Sequence, residues 1–215
     1  MAHPVWPFFD LRVVTPTLEL VPIDDEVGTE LALLAARGIH DPAFMPFAFP
    51  WTDVPSPQLE RNTMQFYWRT RAEVSPTQWN LNFAVMVDGR VVGSTGMITH
   101  DFPTTRRFET GSWLGREFQG RGIGKEMRVA TLQLGFDGFG GLVATTGAYA
   151  DNAPSLGVTR SLGYTHTGSV DKERRGEMAA SLQFEMTAGD FGSRLRRSDI
   201  QLVGVEDCLP LLGLA

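Results

Sequence analysis

The chain has one cysteine, Cys208, in 215 residues. It can therefore form no internal disulfide and no cysteine-based zinc cluster. Cys208 falls in a C-terminal tail, where a structural role is expected rather than a nucleophilic one. No run of eighteen apolar residues is present, as a hydrophobic membrane-spanning helix requires. No secretory signal pattern opens the chain either, so the cytoplasm is the expected compartment. An excess of positive charge is also missing. The formal net charge is −6, which disfavours nonspecific attraction to DNA or an anionic membrane and mildly favours a cationic amine substrate. The pairs Arg106-Arg107, Arg174-Arg175 and Arg196-Arg197 are scattered, as solvated surface would be, and do not form a nucleic-acid stripe. Internal repeats and low-complexity segments are absent. The chain is 42% hydrophobic and 20% charged, the make-up of a globular protein long enough for one domain with a real core.

What is present in quantity is glycine, and it concentrates at one decisive place. The stretch from Gly111 to Met127 reads GSWLGREFQGRGIGKEM. It predicts a strand ending at Leu114, a polar turn, a glycine-spaced loop and then a helix. The helix signal is an apolar stripe at Ile123, Met127, Ala130 and Leu134, spaced by four, three and four. Gly120, Gly122 and Gly124 alternate across the point where the helix begins. Glycines there leave backbone N–H groups uncovered beside the positive end of a helix, which suits a phosphate or pyrophosphate. Arg121 and Lys125 can add charge-assisted contacts to the same anion. Two familiar phosphate loops do not fit. A Walker loop fails because Gln119 stands at its first glycine and Glu126 at its Ser/Thr. The dinucleotide fingerprint fails because Lys125 occupies its third glycine.

Taken in order, Leu11 to Val21 reads as a strand interrupted at Thr15-Pro16. Asp24 and Asp25 open a helix that stops at Gly38. The segment His40 to Trp51 carries three prolines and many aromatics. It cannot be a regular helix and must bury its rings against the core or a ligand. A second helix is expected from about Gln58 to Arg71. From Asn80 the period becomes two: Leu81, Phe83, Val85 and Val87 alternate inward, and Asp88-Gly89 turns the chain into a partner strand, Val91 to Thr99. A third strand, Arg107 to Leu114, leads into the glycine loop. After the helix come a break at Gly140-Gly141, a strand from Leu142 to Ala148 and a short helix from Pro154 to Leu162 closed by Gly163. Two more strands are expected near Thr165–Val170 and Ala180–Thr187.

The spacing Gln119, Gly122, Gly124 fits Q-x-x-G-x-G and resembles the acyl-CoA pyrophosphate loop of the GNAT N-acyltransferase superfamily. Downstream, Asp151-Asn152-Ala153-Pro154-Ser155 and then Leu162-Gly163-Tyr164 are similar to the D-N-x-x-S run and L-G-[FY] close of its RimJ/RimL-like branch. Thr15 to Leu20 resembles the opening strand of that branch, with Thr17 where arginine is usual. The His40-Asp41-Pro42 loop and the Gly111 to Gly115 strand end resemble an actinobacterial-type acetyl/succinyltransferase group. The resemblance is specific over residues 80–187 and implies an α/β fold: a mixed, mostly antiparallel central sheet, splayed at an acyl-CoA cleft and flanked by helices. The domain is expected to span residues 1–190. The extension 191–215 carries a possible strand, Ile200 to Val205, and an apolar end, Leu209 to Leu214, for its own domain or a second subunit; a homo-oligomer is open.

The implied activity is transfer of an acetyl group from acetyl-CoA to a primary amine of a protein or small molecule, with no metal. The alternatives are succinyl-CoA as donor, or a non-catalytic acyl-CoA-binding module. The resemblance assigns Trp113 and Leu114 to the pantetheine arm. It assigns Gln119, Gly120, Arg121, Gly122, Ile123, Gly124 and Lys125 to the pyrophosphate, and Asn152 to an amide of the arm. Glu109 stands where many members place their base; it is that base or an exposed strand carboxylate, with His100, Asp101 and His40 in reserve. Many members use a tyrosine acid seven residues after the asparagine, and here that position is Thr159; Tyr164 reads as core. Ser155 is placed to donate to the leaving thiolate or to cap the short helix.

Overall fold

The computed structural model describes residues 3–214. The chain runs β1 (Arg12–Val14), β2 (Glu19–Pro22), α1 (Asp25–Arg37), α2 (Gln58–Ala72), β3 (Gln78–Val87), β4 (Arg90–His100), α3 (Phe102–Thr105), β5 (Arg107–Leu114) and α4 (Ile123–Gln133). It continues through β6 (Val143–Tyr149), α5 (Ala153–Ser161), β7 (Thr165–Arg174), β8 (Glu177–Thr187), α6 (Ala188–Arg194), β9 (Gln201–Val203) and α7 (Val205–Cys208). The strands form one sheet in the order β7-β8-β6-β5-β4-β3-β2-β1-β9. Neighbours are antiparallel except β5 and β6, which run parallel. The expected α/β architecture is the one observed.

Local chemistry explains the elements. Asp24 caps α1, its carboxylate accepting from Val27 N–H at 2.9 Å, and Gly38 closes the helix at φ 115°. The expected single strand from Leu11 to Val21 is instead a hairpin of β1 and β2. Thr15 makes the turn: its hydroxyl accepts from the N–H groups of Thr17 and Leu18, at 3.2 and 3.1 Å. A side chain that satisfies turn N–H groups in this way favours reversal over extension.

The central strands and α4 share the main core, with Phe108, Leu132, Leu134 and Ala144 essentially sealed from water. Complete burial of side chains as large as leucine and phenylalanine is worth about 1.5–3 kcal/mol each. The C-terminal segment belongs to this core. β9 pairs antiparallel with β1 at the sheet edge, and Cys208 and Leu212 are fully buried in the chain's own core. Arg197 ties the segment to α4 through Glu126 at 2.6 Å. Burial pushes the Cys208 thiol up to about 12, so it is not a nucleophile at neutral pH. Among the described residues, no helix is long and apolar enough to cross a membrane.

Candidate active site

β5 and β6 pair only at Arg107↔Val143, Phe108↔Ala144 and Glu109↔Thr145. Beyond that point β5 keeps β4 as far as Leu114, and β6 keeps β8 as far as Tyr149. The backbone ladder ends at Glu109, and threonine hydroxyls bridge the strands one step further, Thr146 Oγ1 donating to Thr110 O at 3.1 Å and Thr110 Oγ1 to Thr145 O at 3.3 Å; beyond Thr110 the strands part and leave facing edges for a ligand. The glycine loop stands at the open end, past Leu114, which lies about 17 Å from Glu109 for five residues of extended chain.

The loop fits a pyrophosphate. Gly120 and Gly122 have φ of 73° and 84°, a left-handed conformation costly for other residues. Among the described residues, the backbone N–H groups from Gly120 through Gly124 find no acceptor within the protein. Five such donors around the first turn of an eleven-residue helix form an anion nest. A Cβ at Gly124 would point between Val158 of α5, at 3.6 Å, and Leu114 of β5, at 3.9 Å. Glycine thus keeps the mouth of the cleft open. Arg121 and Lys125 are exposed beside it. Gln119 braces the loop from outside: its amide donates to Leu114 O at 2.9 Å and Ile39 O at 2.6 Å.

Opposite the loop, Asn152 is buried and caps α5, its side-chain oxygen accepting from Ser155 N–H at 3.3 Å. The expected cap is therefore Asn152 and not Ser155, because Ser155 lies one turn inside the helix. Among the described residues the half-buried Ser155 hydroxyl has no hydrogen-bond partner, and the side-chain N–H groups of Asn152 are left for a ligand. Thr159, at the tyrosine position, is sealed in the core. All three tyrosines are buried. Tyr164 is core as expected, Tyr149 donates to Glu173 O, and burial pushes Tyr67 up to about 12.

Alternation along β5 divides the cleft. Phe108, Thr110 and Ser112 face α4, whereas Glu109 and Trp113 face the other side. Glu109 is exposed at the last paired rung, beside Ile98 and Thr145. Trp113 packs on Trp51, at 5.8 Å between ring centroids, and Trp51 on Phe47 at 5.4 Å. The aromatic segment thus buries Met45 completely and half-buries Phe47 and Trp51 against Ile39 and Leu59, while Phe49 stays exposed. His100 and Asp101 sit at the far end of β4, beside the start of β5. His40 has both ring nitrogens engaged, with Asp41 O at 2.8 Å and Thr52 Oγ1 at 2.7 Å.

Two features escaped the sequence reading. The tip of the β7–β8 hairpin clamps the aromatic segment. Arg175 grips Asp53 at 2.5 and 2.7 Å, while Arg174 grips Asp151 at 2.8 Å and lies over the rings of Tyr149 and Phe44. These contacts hold Asp53 and Asp151 below the usual carboxylate range. The second is Arg128 of α4, which is 5% exposed and lies at the point where β5 and β6 part. Its signal was readable: a charge four residues after Gly124, between Met127 and Thr131 on the buried face.

The profile of the acetyltransferase (GNAT) domain family matches residues 17–165. The chain belongs to the GNAT acetyltransferase family. Solved structures with the same fold include a GCN5-related N-acetyltransferase from Brucella melitensis, 20% identical, with a TM-score of 0.66 over 84% of this chain and 80% of that one. An acetyltransferase of the GNAT family from Bacillus anthracis is 17% identical, with a TM-score of 0.65 over 83% and 99% of the two chains. RimL, a ribosomal L7/L12 alpha-N-protein acetyltransferase solved in complex with coenzyme A, is 17% identical, with a TM-score of 0.65 over 81% and 96%. Within this GNAT fold, α4 carries the glycine loop and the β5–β6 split supplies the cleft.

Proposed function

We propose that the protein transfers an acyl group, acetyl in the simplest case, from acyl-CoA to a primary amine. The observation that carries this reading is the nest of five backbone donors, Gly120 to Gly124, at the mouth of the split between β5 and β6. In this assignment the nest, with Arg121 and Lys125, holds the pyrophosphate. The free edge of β5 at Trp113 and Leu114 and the amide of Asn152 bind the pantetheine arm. Acyl-CoA supplies a thioester activated toward amines.

Glu109 faces the side where the amine enters and takes its proton, directly or through water. An α-amine, with a pKa near ~7.7–8.0, requires less of that base than a lysine near ~10.4. A protein N-terminus is therefore the acceptor the site serves most readily, as in the α-N-protein acetyltransferase that shares its fold. The Ser155 hydroxyl donates to the departing thiolate. With Cys208 buried in the core and its thiol raised, transfer is direct and passes through no cysteinyl intermediate.

Release of free thiol from acetyl-CoA and succinyl-CoA in the presence of peptides, lysine, polyamines and aminoglycosides tests the reading. Turnover with at least one amine is expected. Tight CoA binding with no turnover across the panel would instead establish a non-catalytic acyl-CoA module.

A further inference from the structure

Two exposed glycines face each other across the split, and packing does not require them. Gly111 of β5 and Gly147 of β6 lie on the face opposite α4, Gly111 between Glu109 and Trp113 and Gly147 between Thr145 and Tyr149. The register Glu109↔Thr145, carried forward by two residues, sets Gly111 against Gly147. The first position on this face past the bridging threonines is therefore bare on both strands. Neither glycine has a left-handed backbone, and the pairing of β5 with β4 and of β6 with β8 passes through them without a bulge. A Cβ at Gly111 would meet no atom within 4 Å, and one at Gly147 would meet first the flexible amide end of Gln183, at 2.9 Å. Gly96, the partner of Gly111 on β4, differs: its Cβ would press on Leu81 O at 2.9 Å. A glycine inside a strand weakens it, and marks a bulge, a bend or the close approach of a ligand or another backbone. For Gly111 the close approach is what remains.

Their position picks out what comes close. The α4 side of the split is closed at this level by Arg128, whose Nη1 donates to Thr110 Oγ1 and Thr146 Oγ1, each at 3.1 Å, and whose Nη2 donates to Ser112 Oγ at 3.2 Å. In the acyl-CoA reading, an arm that enters at Leu114 and follows the edge of β5 meets the threonine bridges at Thr110. Its acyl end then lies beside Gly111, about 10 Å in for three residues of strand. The amine has to reach the thioester from the open face, across the two glycines. Two acceptors flank that approach. Glu109 is the neighbouring exposed side chain on β5. Gln183 lies over Gly147 and spends its amide N–H groups on Ser181 O and Ser181 Oγ, at 3.1 and 3.0 Å. Among the described residues its Oε1 has no partner, so it can receive an N–H from the acceptor.

An attacking nitrogen brings its carbon with it. On a lysine side chain that carbon is a methylene, whereas at a peptide N-terminus it also carries a side chain and a carbonyl group. A floor without side chains on either strand makes room for the larger, substituted carbon. We propose that Gly111 and Gly147 seat the amine-bearing carbon of the acceptor and select amines on a substituted carbon, as at a peptide N-terminus, over amines on a methylene. This rests on the acyl-CoA reading above and adds the residues that set its acceptor class. In transfer, the amine nitrogen bonds to the thioester carbonyl carbon and the carbon–sulfur bond breaks. The nitrogen loses one proton and the thiolate gains one.

Two matched peptides test this with acetyl-CoA as donor: one with a free N-terminus and no lysine, the other blocked at its N-terminus and carrying a single internal lysine. The unaltered protein is expected to favour the free N-terminus. The ratio of kcat/KM for the two peptides should fall roughly 10-fold in Gly147→Ala and up to about 100-fold in Gly111→Val, the range that one methylene commands in a specificity pocket. The higher pKa of lysine weighs on every protein alike, so the change in the ratio reads shape and not basicity. Gly111→Val should bind CoA as before in calorimetry and melt no lower, since valine suits a strand better than glycine does. An unchanged ratio in either folded variant overturns the proposal, as does a preference for lysine in the unaltered protein. A parallel loss of both peptides and of CoA affinity also overturns it, by assigning the glycines to the pantetheine arm. CoA binding with no turnover of either peptide removes this inference alone, whereas no CoA binding by the unaltered protein overturns the acyl-CoA reading itself.

Discussion

The two faces of the split between β5 and β6 are built by different means. The α4 face offers backbone: the unpaired donors from Gly120 to Gly124 and the free edge of β5. The opposite face offers side chains brought from three separate parts of the chain, the segment at 40–53, Glu109 and Trp113 on β5, and the β7–β8 tip. Backbone donors recognise a group common to every acyl-CoA, whereas side chains can be exchanged without disturbing the sheet. The first face is therefore suited to a fixed ligand and the second to a variable acceptor.

Removing a group assigned to proton transfer should have the largest effect, first of all Glu109 on the face opposite α4. Glu109→Gln is expected to lower the rate by about 10²–10⁴ at neutral pH, the usual contribution of a positioned base. The loss should shrink as pH rises and more amine arrives neutral. Ser155→Ala should slow turnover at every pH, because the thiolate still lacks its donor. Single-turnover pH profiles of both variants separate these roles, and an unchanged Glu109→Gln profile would remove that face's assigned base.

A substitution on the backbone face should act on binding instead. Gly124→Val places methyl groups between Leu114 and Val158 and crowds the N–H donors of the nest. Gly124 lies inside α4 and needs no left-handed backbone, so the fold should survive. CoA affinity should drop about tenfold or more, as for lost hydrogen bonds to a charged group. Unchanged affinity in calorimetry would show that the nest does not hold the pyrophosphate.

The smallest effect concerns the clamp over the aromatic segment. Arg175 and Arg174 depress Asp53 and Asp151 below their ordinary value of 3.8. A carboxylate depressed on folding stabilises the fold above its unfolded pKa and loses that contribution as pH falls through the folded one. The clamp should thus be intact at neutral pH and release only below about pH 4. Solvent screens exposed pairs of this kind strongly, so the change should be local. Faster amide exchange from Phe44 to Thr52 on acidification, absent in Arg175→Ala, would show it. Equal acceleration throughout the chain would instead indicate global acid unfolding.

The same contrast sets what could be read from the residues alone. α1, α2, the Asp88-Gly89 hairpin, β5 and α4 were legible because caps, turns and apolar periods act within a few residues. The β1–β2 reversal was missed because Thr15 makes its turn with a side chain and not with a glycine signal. Asn152, not Ser155, proved to be the cap because either residue type can serve and only the observed start of α5 decides between them. Arg128 was passed over because its part in tying β5 to β6 depends on hydroxyls that a linear sequence does not place beside it.

Sequence by itself determined the α/β fold, the family and the glycine loop with its uncovered backbone donors. Each depends on backbone conformation, which local residue choice controls. Only the tertiary structure decided that Glu109 and Arg128 lie on opposite faces of one opening and that the aromatic segment is pinned by Arg174 and Arg175. It also decided that the C-terminal segment completes the core. Those outcomes depend on contacts across tens of residues, where charge, burial and distance are set by packing rather than by position in the chain.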